Sequence, residues 1–344
     1  MTTEVLQTDT GELMKMAVNR AVSALQAGET VALPTETVYG LAAAALNPDA
    51  VAKIFAAKER PSFDPLIVHV PHKEHLRELA EIPDEFTSTV QRIVDRFWPG
   101  PLTLILPKSA RVPDIVTAGL PNVALRMSDH PIFKRIITSF GQPLAAPSAN
   151  RFGRISPTSA SAVEQELGGR IPLIIDGGAC LHGVESTIIR LERGETKPIF
   201  RVLRAGPIIK EELQEIGKVI YDHTATSPTP EAPGQLPSHY APQTPLRLLS
   251  SPADFRPDPT KRYALLSFRG EESDGYLDLT DWAALAVLSP GSGKHSEAAM
   301  RLFFCLRKLD EAGVDEIIAE PITDKGLGMA IMDRLRRAAG KRTA

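Results

Sequence analysis

Leu13, Met16, Ala17, Ala21, Ala24 and Leu25 fall on one helical face, so residues 12–27 are expected to form a helix that Gly28 ends. The short apolar run 30–33 then reads as a strand stopped by Pro34. Asn47 is placed to cap a helix over 48–58, with Val51, Ile54 and Phe55 on one face. Runs at 66–70, 102–106, 123–126, 144–146, 173–175, 187–191 and 199–203 are dense in branched apolar residues and read as strands. Residues 90–98, 131–140 and 158–167 read as helices between them. Strands mixed with helices, without a strict β-α-β alternation, predict an α/β domain on a twisted, mixed sheet, closing near residue 215.

The pattern changes from about Asp222. Prolines and small polar residues dominate, with too little apolar content to pack, so 216–245 is expected to be an extended linker. Beyond it, strands at 263–267, 285–288 and 316–319 alternate with an amphipathic helix at 296–312 and a basic helix at 328–339. This alternation predicts a small Rossmann-like α/β domain over 246–344. No internal repeat is visible.

Composition narrows the class. A length of 344 residues favours two domains, 43% hydrophobic and 24% charged residues are ordinary for a globular chain, and a net charge of −3 argues against a nucleic-acid polycation. Cys180 and Cys305 are the only cysteines, which excludes a disulfide framework and leaves no pair at zinc-ligand spacing. No apolar run approaches the roughly 20 residues of a membrane span, and the polar N-terminus does not read as a signal peptide. A cytoplasmic protein is expected.

Several short segments could carry chemistry. Lys58 and Arg60 stand where a helical run meets Pro61, so they can reach a phosphate; equally, cations at a helix end oppose the helix dipole. Ser148 and Asn150 lie in the turn APSAN after a strand, offering a hydroxyl and an amide at the edge of a sheet where ligands bind, or simply forming a turn. Thr35 follows a strand-breaking proline, His69 interrupts an apolar strand, and Arg126 ends one; Arg126 needs a carboxylate from protein or ligand. Ser186 has no glycine elbow to make it a nucleophile, so binding is its better role. Arg204 precedes Ala205-Gly206-Pro207 and is another phosphate contact. The phosphate-loop look-alike Gly291-Ser292-Gly293-Lys294-His295 fails, because Leu288 occupies the first glycine position and His295 replaces Ser or Thr. Asp176-Gly177-Gly178 is better read as a turn than as a metal ligand.

The segments PTETVYGL, AKERP, PLIVHV, WPGPLT, VTAGL, VALR, APSAN, GVESTII and RAGP, in that order, resemble the blocks of the YrdC-like threonylcarbamoyl-AMP synthases. PGQLPSHYAP, LRKLDEAGVD and GLGMAIMDRLRRAAG resemble the linker and the C-terminal domain of the long form, with Asp333 standing where that family usually has Asn. The resemblance implies an N-terminal YrdC-like domain over 1–215 and a nucleotidyltransferase that makes threonylcarbamoyl-AMP and pyrophosphate from L-threonine, bicarbonate and ATP. The product would serve N6-threonylcarbamoyladenosine formation at adenosine 37 of tRNAs reading ANN codons. By the same resemblance, Lys58, Arg60, Ser148, Asn150, Arg204, His239 and Tyr240 would hold ATP. Thr35, His69, Arg126 and Ser186 would hold L-threonine, and the linker would act as a lid.

Positioning and electrostatics, with no catalytic nucleophile, are the expected mechanism, with Mg²⁺ held mainly by the ATP phosphates. A separate threonylcarbamoyl transferase complex is the expected downstream partner, with weak tRNA/RNA binding as a secondary expectation and no membrane partner. The rival readings are a double-stranded RNA/tRNA-binding module without catalysis, a hydrogenase-maturation carbamoyl-adenylate domain, and a scaffold. The acidic net charge opposes the first, the missing cysteine-rich zinc segments the second, and the number of intact site motifs the third.

Overall fold

The computed structural model describes residues 2–221, 230–235 and 239–340. Among these, eleven strands form one mixed sheet and four more form a second, parallel sheet. The local signals explain most elements. Thr10 caps the helix Gly11–Gln26 by accepting from the Leu13 amide, and Gly28 takes a φ of 71° beyond its end. Asn47 accepts from the Asp49 and Ala50 amides to start the helix Pro48–Lys58, as its sequence position predicts.

The centre of the large sheet positions the site. Six neighbouring strands run in the order Gly40–Ala44, Leu144–Ala145, Ile67–His69, Asn122–Arg126, Leu102–Pro107 and Thr187–Glu192, followed by Ile199–Arg204. Their pairings mix parallel and antiparallel ladders, with Ile67–His69 parallel to Asn122–Arg126 and Leu102–Pro107 parallel to Thr187–Glu192 while the others are antiparallel. His69 and Arg126 are register partners at the ends of parallel strands, and Arg126 is also paired with Thr103 across an antiparallel ladder. Gly40 bridges Ser148, tying the turn after Pro34 to APSAN. Helices Gly11–Gln26, Pro48–Lys58, Thr87–Phe97 and Pro131–Phe140 bury their apolar faces in the main core.

Four strands lie outside the sequence expectation. Gly40–Ala44 is mostly alanine, a poor strand former that burial on both faces makes viable. Glu4–Gln7 is a half-polar edge strand pairing with Leu173–Asp176. Leu246–Leu248 opens the second sheet immediately after the expected linker. Lys218–Tyr221 pairs in parallel with Ile199–Arg204, so the first sheet continues past residue 215 into the stretch expected to be linker. Of that stretch, 222–229 and 236–238 lie outside the described residues.

The second sheet has the order Leu246–Leu248, Glu316–Ala319, Tyr263–Ser267, Ala284–Val287, all parallel, with helices His295–Asp310 and Gly328–Ala338 packed on it. Its core does not stop at the domain edge. Val38, Ile155 and Val184 of the first domain and Tyr240 of the connecting segment join Leu302, Phe303, Leu306 and Leu335 in one buried cluster.

Candidate active site

At the strand edge lies a cavity of about 40 Å³. Its walls are Thr35, Thr37, Val38, Gly40, Arg60, Ile67, His69, Arg126, Ala146, Pro147, Ser148, Glu185, Arg204, Pro233, Gly234, His239 and Tyr240. Ligand pockets run to roughly 300–1,000 Å³. This cavity is smaller than that range, and Pro233, Gly234, His239 and Tyr240 form part of its wall.

One group surrounds Arg126. Its guanidinium donates to Glu36 Oε1 at 2.6 Å and to Thr37 Oγ1 at 2.9 Å, while its Nε is buried without a hydrogen-bond partner among the described residues. Glu36 is the carboxylate partner that the sequence left open. Burial alone would raise its pKa, but the Arg126 charge and the Ser128 hydroxyl outweigh burial and hold it at about 2. His69 is pushed down to about 3, by burial first and then by Arg126, so it is neutral at pH 7 with a buried, unpartnered Nδ1. Its ring lies 4.7 Å from Phe133. Thr35 lines the cavity, but its hydroxyl oxygen serves its own turn, accepting from the Thr37 and Val38 amides and lying 2.6 Å from the Val38 carbonyl.

A second group is cationic. Arg60 is held by the Asp64 carboxylate at 2.9 Å and by the backbone carbonyls of Asp64 and Pro65. Arg204 donates from Nε to the Ser186 carbonyl at 3.0 Å and from Nη2 to the Ser186 hydroxyl at 3.0 Å. Lys58 stands behind this wall. Its buried ammonium donates to the carbonyls of Ser148 and Asn150, which fastens the helix end to APSAN, and burial, reinforced by Arg60, lowers its pKa. Asn150 also stands behind the wall: its amide nitrogen donates to the Arg151 and Arg154 carbonyls, and its Oδ1 has no hydrogen-bond partner among the described residues. Ser186 is likewise outside the lining and shares its hydroxyl with Thr103 at 2.7 Å.

His239 and Tyr240 cover this cationic end. His239 lies edge-on to Tyr240, and burial followed by the charges of Arg60 and Lys58 drives its pKa well down. Gly234 has a φ of 84°, which favours glycine, and a Cβ there would crowd the Tyr240 hydroxyl. Gly206 in RAGP is similarly forced, since a Cβ would collide with the backbone of Glu185–Thr187.

Sequence reading thus assembles eight of its eleven residues on the wall (Thr35, Arg60, His69, Arg126, Ser148, Arg204, His239, Tyr240) and places Lys58, Asn150 and Ser186 directly behind it. It missed Glu36, Glu185 and Arg334. Glu36 and Glu185 sit inside recognised segments, PTETVYGL and GVESTII, and an unpaired buried arginine was the signal for a carboxylate. Among the described residues no cluster of three or more His, Cys, Asp or Glu could hold a metal. Glu185, the one carboxylate on the wall, has both oxygens occupied. The described residues on this wall therefore form no metal cluster of their own.

Fold and cavity define a two-domain α/β protein whose strand-edge cavity brings Arg60, Arg126 and Arg204 together on one wall. A family model described as "Telomere recombination" (Sua5_yciO_yrdC) matches residues 23–206, and one described as "Threonylcarbamoyl-AMP synthase, C-terminal domain" matches 208–340. The chain belongs to the Sua5/YciO/YrdC family, in the two-domain form that carries the threonylcarbamoyl-AMP synthase C-terminal domain. The threonylcarbamoyl-AMP synthase of Pyrococcus abyssi is 43% identical over 328 residues, covering 94% of each chain. That of Bacillus subtilis is 42% identical over 334 residues, covering 94% of this chain and 93% of the relative. The crystal structure of P. abyssi Sua5 complexed with L-threonine superimposes with a TM-score of 0.84 at 37% identity, over 98% of both chains.

Proposed function

We propose that this cavity condenses L-threonine, bicarbonate and ATP into threonylcarbamoyl-AMP and pyrophosphate. The observation that carries the reading is one cavity with two chemically distinct ends: Arg60 and Arg204 under His239 and Tyr240, and Arg126 with neutral His69. In the reaction the threonine amine takes up bicarbonate with loss of water. An oxygen of the resulting carbamate then attacks the α-phosphorus of ATP, and the bond to pyrophosphate breaks. Both the carbamate and the mixed anhydride are hydrolysed by water, so a recessed cavity lined by the buried His239 and Tyr240 suits them.

The residue roles follow from what each group has free. The unpartnered Nε of Arg126 points to a charge-assisted bond with the threonine carboxylate. The threonine hydroxyl falls to His69, whose Nδ1 is free, because Thr35 and Ser186 already use their hydroxyls. Arg60 and Arg204 offset the triphosphate and the departing pyrophosphate, with Lys58 and Asn150 fixing the APSAN turn beneath Ser148. MgATP is the nucleotide substrate.

The product is an activated acyl adenylate, which a separate tRNA-modifying threonylcarbamoyl transferase complex would consume, with weak RNA contact as an accessory. No helix among the described residues is long and apolar enough to cross a membrane, and the cytoplasm, where tRNA is modified, is the proposed location. Pyrophosphate release is the test, with ATP and Mg²⁺ present and L-threonine and bicarbonate omitted in turn. Release that requires both, with threonylcarbamoyl-AMP seen by mass spectrometry, is expected. Release indifferent to threonine would overturn the reading.

A further inference from the structure

Glu185 is an anomaly in a cavity for a polyanion. It is a buried carboxylate on the wall, near Arg204, where a triphosphate has to sit. Its Oε1 accepts from the Ser156 hydroxyl at 2.5 Å, and its Oε2 accepts from Arg334 Nε at 3.0 Å. Arg334 belongs to the second domain, on the helix Gly328–Ala338, and is completely buried. Its Nη1 reaches the Ala205 carbonyl of RAGP at 2.7 Å and the Asp333 carboxylate at 2.9 Å, and Asp333 in turn accepts from Arg337.

The same guanidinium lies 5.2 Å over the Tyr240 ring, while Phe303 of the helix His295–Asp310 stacks on that ring at 5.7 Å and 27°. Tyr240 has a φ of 62°, a left-handed backbone that a tyrosine adopts only when its surroundings impose it. Arg334 and Phe303 of the second domain both pack against its ring.

We infer that Arg334 is a positioning residue through which the second domain completes the nucleotide end of the cavity, cancelling the Glu185 carboxylate and holding Tyr240 over the site. The inference rests on the proposed ATP-binding role of this cavity. Without Arg334, Glu185 is an uncompensated negative charge in a desolvated wall and repels the phosphates. With Arg334, the first domain keeps a carboxylate that pins Ser156 and the second domain, and the nucleotide meets a net cationic wall. ATP affinity therefore depends on domain docking, whereas threonine, which meets Arg126 and His69, is spared.

The test uses the full chain and measures affinity for a non-hydrolysable ATP analogue with Mg²⁺, and separately for L-threonine, by calorimetry. Arg334→Gln is expected to weaken the nucleotide at least about ten-fold while moving threonine by no more than about two-fold. Arg334→Gln combined with Glu185→Gln should recover the electrostatic part of the loss, because the charge needing cancellation is gone, and leave the part that Arg334 contributes through Tyr240. Glu185→Gln alone should tighten the nucleotide, and this comparison stands even where the arginine variant does not fold. Unchanged nucleotide affinity in Arg334→Gln overturns the inference. So do equal losses for both ligands without recovery in the double variant, or weaker binding in Glu185→Gln. A wild-type chain that binds no ATP overturns the functional reading and this inference with it; a wild type that binds beside variants that do not differ overturns this inference alone.

Discussion

Arg126, Glu36 and His69 carry the proposed threonine recognition at the scale of single residues. Glu36 holds Arg126 from one side, and the guanidinium Nε has no hydrogen-bond partner among the described residues. Arg126→Lys keeps the charge but loses the fork, and is expected to raise KM for threonine about 10- to 100-fold with KM for ATP nearly unchanged. Separate saturation curves for the two substrates check the split. The same group sets an acid limit on stability. Glu36 is held at about 2 against 4.5 for the free side chain, so its contribution is complete above about pH 4.5 and is lost as pH falls towards 2. His69 is held at about 3 against 6.5, so the unfolded chain takes up a proton that the folded one refuses once pH drops below 6.5. Both effects favour unfolding in acid. His69→Gln removes one of them, and its urea-unfolding stability should fall less steeply than the wild type's between about pH 6 and 4, by up to ~1.4 kcal/mol per pH unit. Parallel slopes would show that His69 is not held neutral.

At the scale of elements, the site is made by strand ends that adjoin in space but are scattered in sequence. Helices such as Pro131–Phe140 and strands such as Tyr263–Ser267 are written locally, through spacing, caps and apolar density, and both match their sequence bounds. Gly40–Ala44 is not legible that way, because alanines become a strand only when neighbours on both sides supply hydrogen bonds and burial. Lys218–Tyr221 is an edge strand whose partner, Ile199–Arg204, defines it. The same distinction holds for the site. Cations at element ends are visible in sequence, but the present partners of a hydroxyl are not: the Thr35 oxygen braces its own turn and the Ser186 oxygen accepts from Arg204. Gly206 illustrates what an element end tolerates. A Cβ there would enter the backbone of Glu185–Thr187 and push Arg204 and Ser186 apart. Gly206→Ala is expected to destabilise the fold by about 1–3 kcal/mol and to weaken the ATP analogue more than threonine. Denaturant unfolding and calorimetry would measure the two effects, and a variant of wild-type stability would show that the strand ends can separate freely.

For the whole molecule, the decisive feature is that neither domain closes its own surface. Val38, Ile155 and Val184 enter the core of the second domain, and polar ties fasten the second domain to the first and to the connecting segment. Arg307 pairs with Glu166 at 3.1 Å and reaches the Ile155 carbonyl, Arg334 pairs with Glu185, and Asp310 accepts from the Gln243 and Thr244 amides where the connecting segment rejoins the second domain. An interface that is apolar and carries buried charge pairs should not open independently of the domains it joins, so unfolding should be a single event. The chain supplies its own reporters, since its two tryptophans, Trp98 and Trp282, lie one in each domain. With Trp282→Phe or Trp98→Phe as background, fluorescence follows one domain at a time, and the two urea transitions are expected to coincide. Arg307→Met then tests what couples them. Breaking a buried pair costs about 3–5 kcal/mol when the remaining charge has no other partner. Glu166 retains Arg151 at 3.7 Å and Arg307 is partly exposed, so a loss of about 1–3 kcal/mol is expected, concentrated at the boundary. The transition reported by Trp282 should then move to lower urea than that reported by Trp98, because the second domain has the smaller core and relies more on the interface. Two transitions already separate in the wild type would mean that the domains fold independently and that the shared core adds little to their coupling.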